Sequence, residues 1–244
     1  MSLPRFYSPE KLSPGSFIRF TDNAATHASR ALRMQVDDEA ILFNGDGNDY
    51  LCSLTFISKA EVSAKVKSVV ANDVESPLDI TLVQAISSGD RMDFTIQKAV
   101  EMGVNRIQPI ASQRSVVKLS GDRADKRKEH WQNVVIAACE QSGRAIIPPV
   151  LPAYSLANWL GLGTSATSRI LLLPGAEYSL SQISKPQGSI QLLIGAEGGL
   201  APTEVDIALQ HEFIPIRLGK RILRTETAAL SAISSMQTLW GDYN

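Results

Sequence analysis

The chain has 244 residues, of which 44% are hydrophobic and 20% charged, and its formal net charge is -1. That composition excludes a disordered or fibrous chain and leaves length enough to bury a real core, in one large domain or two small ones. The near-neutral balance also excludes a uniformly basic nucleic-acid binder, so any contact with nucleic acid has to come from a local patch.

Residues 1–72 read as β-rich. In 61–67, Val62, Ala64 and Val66 alternate with Ser63, Lys65 and Lys67, which gives a strand one apolar and one wet face. Asn44-Gly-Asp-Gly-Asn48 sits between apolar runs at 41–43 and 50–54 and predicts a hairpin turn, since Gly and Asn tolerate positive φ. A small β-barrel follows from this pattern. The polar stretch 71–77 ends in Pro77 and precedes a change of period, which places a domain boundary there: 1–72 and 73–244.

Strands and helices then alternate. Strands are predicted at 80–86, 107–110, 170–173, 191–194 and 213–218. Helices are predicted at 90–102 with Met92, Ile96, Ala99 and Val100 inward, at 126–142 with Trp131, Val134, Val135 and Ala138 on one stripe, at 202–209 after Pro202, and at 225–240 with Ala229, Ile233, Met236 and Trp240. Glu204 falls in the first turn of its helix, whereas Ala201 is a poor N-cap. The alternation predicts an α/β fold, a mostly parallel sheet with helices on both faces.

Cys52 and Cys139 stand far apart with no metal-ligand spacing, which fits a reducing compartment, buried small hydrophobes and no metal site. His27, His130 and His211 have no partners at catalytic spacing and read as structural or surface groups. No run approaches the roughly 18 apolar residues a spanning helix needs, and the amino terminus lacks a basic-then-apolar leader, so a cytoplasmic protein is expected, with no membrane contact. Gly161-Leu-Gly-Thr-Ser-Ala166 matches a GxGxxA dinucleotide fingerprint, but it follows a helical stretch and precedes a strand, the reverse of the working motif. It reads as a loop.

Two stretches carry the chemistry: Ile194-Gly-Ala-Glu-Gly-Gly-Leu200 and Leu218-Gly-Lys-Arg-Ile-Leu-Arg-Thr-Glu-Thr-Ala228. Each follows a strand and leads into a helix, so both fall at the carboxyl ends of neighbouring strands, where open α/β sheets place ligands. Their glycines let main chain approach a ligand and serve as the recognition group.

These two stretches, together with Arg5-Phe6, Arg91-Met-Asp-Phe-Thr-Ile-Gln-Lys-Ala-Val-Glu-Met-Gly103 and Ala138-Cys-Glu-Gln-Ser-Gly-Arg144, resemble the RsmE family of SPOUT-class methyltransferases over nearly the whole chain. One departure is Ala196, where the family usually has Pro. The resemblance implies S-adenosyl-L-methionine as cofactor, methylation of N3 of a uridine in small-subunit ribosomal RNA, a PUA-like amino-terminal barrel, a carboxyl-terminal trefoil knot and a homodimer. It implies a cofactor pocket formed by the loops 173–176, 195–199 and 218–223, with Leu173, Pro174, Gly175, Gly195, Glu197, Gly198, Gly199, Leu218, Gly219, Arg221, Ile222, Leu223, Thr225 and Ala228 as its lining.

Deprotonating uridine N3 calls for a group that stabilises negative charge on the base. Arg224 is the first candidate, because a guanidinium donates two hydrogen bonds at once. Glu197 and Glu226 are the candidate carboxylates, to offset a cation or accept a proton; Glu226 equally suits the first turn of a helix. Arg5, Arg30, Arg33, Arg91, Lys98, Arg114 and Arg144 are candidate RNA contacts. A SPOUT enzyme for another RNA or base, a non-catalytic RNA-binding protein and a nicotinamide enzyme built on Gly161 are the competing readings.

Overall fold

The computed structural model describes residues 3–59, 61–115, 121–163 and 166–243. They form two compact units, one of residues 1–75 with 139–147, the other of 76–138 with 148–244.

The first unit holds β1 (Arg5–Tyr7), β2 (Phe17–Arg19), α1 (Asp22–Thr26) continued by a π-turn at His27–Ala31, β3 (Glu39–Phe43), β4 (Asn48–Ile57) and β5 (Val62–Ala71). The sheet order is β1-β3-β4-β5-β2, with β1 parallel to β3 and the other pairs antiparallel. Register shifts at Leu51/Cys52 and Leu54/Phe56 curl the long β4–β5 ribbon, as bulges do. Inside the curl, Phe6, Ile18, Leu42, Leu54, Val62 and Val66 pack with Ala24, Ala25, Ala28 and Met34 into one core. The turn between β3 and β4 uses its glycines as expected: Gly45 and Gly47 have φ of +94° and +88°. The carboxyl end of α3 (Asp122–Ser142) and the loop after it belong to this unit. There Glu140 accepts the Tyr7 N–H at 2.9 Å, Asn72 Nδ2 donates to the Gly143 carbonyl at 3.0 Å, and Gly47 N–H to that of Ala145 at 3.3 Å.

The second unit is a six-stranded sheet in the order β7-β6-β10-β8-β11-β9, every pair parallel. Its strands are β6 (Ile80–Ala85), β7 (Arg106–Ile110), β8 (Ser168–Leu172), β9 (Tyr178–Ser179), β10 (Ile190–Ile194) and β11 (Ile214–Arg217). Strand alternation assigns the two faces. Val83, Leu171 and Leu193 meet Trp159 and Leu160 of α4 (Leu156–Gly161), Ala208 of α5 (Pro202–Gln210) and Phe213. From the opposite face, Gln84 reaches Thr225 at the start of α6 (Thr225–Trp240), and α6 packs against α2 (Asp90–Glu101). All four apolar positions predicted to face inward on α2 and on α6 are buried. On α3, Trp131, Val135 and Ala138 are buried, and Val134 is half-buried.

Both cysteines are fully buried, and burial pushes each thiol up to about 12, so neither is a nucleophile at neutral pH. Gly161 closes α4 ahead of β8, so the GxGxxA stretch does not open a helix; its Thr164 and Ser165 lie outside the described residues. Among the described residues no helix is long and apolar enough to cross a membrane, and no group of three or more His, Cys, Asp or Glu is placed to hold a metal ion.

Candidate active site

Three loops leave the carboxyl ends of β8, β10 and β11. The glycine-bearing strands β10 and β11 are not direct neighbours, because β8 lies between them. The loop after β8 therefore completes the wall. It is a turn in which Ala176 N–H bonds the Leu173 carbonyl at 3.2 Å, with Pro174 at the second position and Gly175 at φ +80° in the third. Pro pre-sets one φ and Gly supplies the positive one, as a type II turn demands.

After β10, Gly199 N–H bonds the Ala196 carbonyl at 2.8 Å and closes a turn over Glu197 and Gly198. A Cβ on Gly195 would stand 2.9 Å from Gly199 main chain, closer than packed atoms allow, so the loop folds back on itself only because residue 195 has no side chain. Thr225, 5% exposed, donates its hydroxyl to the Gly195 carbonyl at 2.6 Å and accepts from Gln84 Nε2 at 2.9 Å. That relay ties β6, the β10 loop and the head of α6 together.

Two arginines hold the same turn from outside. Arg114 donates to the Gly198 carbonyl at 2.8 Å, and Arg91 meets the Glu197 carboxylate at 3.1 Å. The same Glu197 oxygen accepts from the Ser88 N–H at 3.0 Å and the Ser88 hydroxyl at 2.9 Å. Partial burial pushes the Glu197 carboxyl up, but the bonds from Ser88 and Arg91 together outweigh it and leave it below its ordinary value. Glu197 is thereby an anchor for the turn.

The loops enclose a cavity of about 380 Å³, inside the range of small-molecule sites, which runs from roughly 300 to 1,000 Å³. Every residue proposed from the sequence for the cofactor lines it except Gly175, which sits in an adjoining cleft with Lys220 and Arg221. Ala196, inside the 195–199 loop expected at the pocket, lines it too, and Arg114, Leu172, Ile194, Leu200 and Arg217, not expected there, complete the wall. Leu172, Ile194 and Arg217 are last residues of strands that the sequence did locate, so their place follows once the loops are known; Arg114, a candidate RNA contact, comes from a distant loop, and nothing in the sequence placed it at this cavity.

Arg224 and Glu226 do not line the cavity. Arg224 caps the amino end of α6 in an extended conformation, and its guanidinium is exposed with no partner among the described residues. Glu226 sits in the first turn of α6, where one carboxylate oxygen is buried without a hydrogen bond among the described residues. Of the arginines proposed for RNA, Arg5 is paired with Asp49 at 2.7 Å and Arg144, 3% exposed, with Glu75 at 2.5 Å, so both charges are committed inside the first unit. Arg91 is committed to Glu197, while Arg30 and Arg33 are exposed. His130 has a partner that sequence spacing did not show: its Nε2 lies 2.6 Å from Asp93 of α2.

A parallel sheet whose strand tips carry a main-chain-lined cavity, in a chain that also holds a small curled-sheet unit, is the architecture of RNA methyltransferases. Residues 74–237 match the model of an RNA methyltransferase domain, and 20–67 that of an RNA methyltransferase PUA domain. The chain belongs to the ribosomal RNA small subunit methyltransferase E family. It is 32% identical to that protein of Buchnera aphidicola from Acyrthosiphon pisum, covering 99% of this chain and 95% of the relative, and 31% identical to that of Bacillus subtilis, covering 88% of each. The crystal structure of the Neisseria gonorrhoeae enzyme bound to S-adenosyl methionine superposes with a TM-score of 0.92 at 44% identity over the whole of both chains. A Legionella pneumophila protein solved with SAM bound gives 0.94 at 35% identity, over 99% of this chain and all of that one.

Proposed function

We propose that this protein is an S-adenosylmethionine-dependent methyltransferase that modifies N3 of a uridine in 16S ribosomal RNA, acting in the cytoplasm as a homodimer knotted through its carboxyl-terminal part. The observation that carries the reading is the cavity at the tips of β8, β10 and β11, walled by three glycine-bearing loops and apolar side chains, with Arg114, Arg217, Arg221 and Glu197 also on its lining. Such a wall would suit an adenosyl group: Leu172, Leu173, Ile194, Leu200, Leu218 and Leu223 would supply apolar contact and the loop main chain polar groups. When bound there, the cofactor supplies an electrophilic methyl group.

The chain's own residues do the rest. Loops 173–176, 195–199 and 218–223 bind and orient. Arg224, with no internal partner among the described residues, offers paired N–H donors to a base whose N3 loses its proton, and so stabilises the charge that develops. Glu197 holds the turn through Ser88 and Arg91. Glu226 places its charge in the first turn of α6, where it favours the helix amino end. Residues 1–72 form the PUA-like RNA-binding part and 73–244 the SPOUT catalytic part.

Mass mapping of 16S ribosomal RNA from cells lacking the gene tests the reaction: one uridine methyl group should be missing, and the purified protein with S-adenosylmethionine should restore it. An unchanged methylation map would overturn the assignment. Calorimetry with NAD and with S-adenosylmethionine separates the nicotinamide alternative, which requires NAD to bind in place of the methyl donor.

A further inference from the structure

We propose that Glu204 is a positioning residue of the cofactor site, which acts on the 196–199 turn from outside the cavity by fixing the loop that carries Arg114. This inference rests on the reading of the protein as an S-adenosylmethionine-dependent methyltransferase. Glu204 itself does not line the cavity.

A glutamate at the third position of a helix has an ordinary use: it reaches back to the N–H of the residue before the helix and closes the amino end. Glu204 does this with one oxygen, Oε2, which accepts the Ala201 N–H at 2.9 Å. The help is needed, because Ala201 has no side-chain acceptor with which to cap α5. Capping explains only half of the carboxylate, and it does not explain the burial. Glu204 is 4% exposed, and among the described residues no cation pairs with it. A carboxylate withdrawn from water is costly unless hydrogen bonds replace the water, so the second oxygen has to be satisfied as well.

A different loop satisfies it. Oε1 accepts the Gln113 N–H at 2.9 Å, and beside it Gln113 Nε2 donates to the Thr203 hydroxyl at 3.1 Å. Residues 111–115 leave the carboxyl end of β7 and close on themselves: Ser115 N–H bonds the Ser112 carbonyl at 3.1 Å, and the hydroxyls of these two buried serines lie 2.9 Å apart. Arg114 is the next residue after Gln113. Its Nη1 donates to the Gly198 carbonyl at 2.8 Å, and its stem runs along Gly198, where an added Cβ would meet Arg114 Cβ at 3.4 Å and Cδ at 3.5 Å.

These contacts close a ring: Glu204 to Gln113, Arg114 to Gly198, and the chain from Gly198 through Ala201 back to Glu204. One carboxylate thus holds the end of the β10 loop, at Ala201, and also the loop that grips its middle, at Gly198. Arg114 is exposed, and holding a long side chain in one geometry costs rotamer freedom, so its grip depends on a backbone that is already fixed. Glu204 supplies that fixed backbone. Arg114 and Gly198 both line the cavity, so the ring ends at the cofactor.

Methyl transfer to saturating 16S ribosomal RNA by the full chain, measured across S-adenosylmethionine concentrations, tests the ring. Glu204→Gln keeps the size and one acceptor but sets an amide NH2 against a main-chain N–H. The loss should fall on KM for S-adenosylmethionine, raised about 10-fold as for one hydrogen bond to a charged group, with kcat within about twofold of the parent. Arg114→Ala should raise KM by a similar factor, and the two substitutions together should raise it no further, because both open the same ring. A double variant near 100-fold, the product of two independent losses, overturns the proposal and leaves Glu204 a helix cap; so does Glu204→Gln with the parent KM. A second measurement needs no substitution. Gln113 does not line the cavity, yet its amide in the parent chain should gain protection from hydrogen exchange when S-adenosylmethionine binds, since a contact that favours the cofactor is favoured by it. Unchanged protection overturns the proposal even where Glu204→Gln fails to fold. A parent protein that neither binds S-adenosylmethionine nor transfers its methyl group would instead overturn the reading of the protein as a methyltransferase, on which the role of Glu204 rests.

Discussion

At the scale of single residues, the site depends on one absence and one exposure. Gly195 is needed for what it lacks: an added Cβ would press within 2.9 Å of Gly199 main chain and force the 196–199 turn away from the cavity. Overpacking of this kind costs about 1–3 kcal/mol. Gly195→Ala should therefore weaken S-adenosylmethionine binding by about 10- to 100-fold in calorimetry, and an unchanged affinity would mean that this turn does not shape the cofactor site. Arg224 is needed for what it leaves open, a guanidinium at the helix head with no internal partner among the described residues. Because it does not line the cavity, Arg224→Ala should keep cofactor affinity and lose turnover by about 100-fold or more, the usual effect of removing one charge-stabilising donor. Wild-type turnover in that variant would remove Arg224 from the reaction. Both residues stood out in the sequence, since the motif containing each is contiguous and the chemistry asks for those residue types. Arg114 stood out only as a candidate RNA contact and Ser88 not at all, because they reach the same turn from loops about a hundred residues away in sequence.

At the scale of elements, a clamp of Ser88 and Arg91 at the head of α2 fixes Glu197 and with it the β10 loop. The Glu197 carboxyl is depressed below its ordinary value of 4.5, because the ionised form accepts these hydrogen bonds. A depressed folded value means that the contribution is complete above 4.5 and is lost as pH falls through the lower, folded value. Cofactor affinity should then be flat from neutral pH down past 4.5 and fall only below it, while Glu197→Gln should start weaker and show no such fall. An affinity that already declines above 4.5 in the parent would assign the dependence to some other group. The elements themselves were legible where periodicity had room to act: β6, β10, α2 and α6 came within a residue or two of their predicted ends. Others were not. β1 and β2 are three residues each, too short to show alternation, and the π-turn at His27–Ala31 has no hydrophobic period to announce it. The order that puts β8 between β10 and β11 is a matter of long-range pairing, which local pattern does not encode.

At the scale of the whole molecule, the compact units do not follow one cut in the sequence, because 139–147 belongs with 1–75. The reason is physical. Within that unit Cys139, Arg144 and Ala145 are buried, Glu140 takes the Tyr7 N–H, Gly143 and Ala145 carbonyls are bonded by Asn72 and Gly47, and Arg5 reaches the Arg144 carbonyl at 3.3 Å. A chain beginning at residue 73 keeps 139–147 but removes every one of those partners. Four hydrogen bonds at about 1 kcal/mol each, together with newly exposed apolar surface, put the destabilisation at about 3 kcal/mol or more. For a domain of this size that lowers the melting temperature by about 6–12 °C. The cavity lining runs from Arg114 to Ala228 and includes nothing before residue 73 or within 139–147, so the shortened chain should still bind S-adenosylmethionine with the parent affinity at a temperature where it is folded. RNA affinity should fall, since the candidate RNA contacts Arg30 and Arg33 are gone. Differential scanning calorimetry of both chains with and without cofactor decides the matter: a shortened chain that melts with the parent would show that 139–147 draws no stability from the amino-terminal residues, and one that melts early but binds cofactor normally would show that it does.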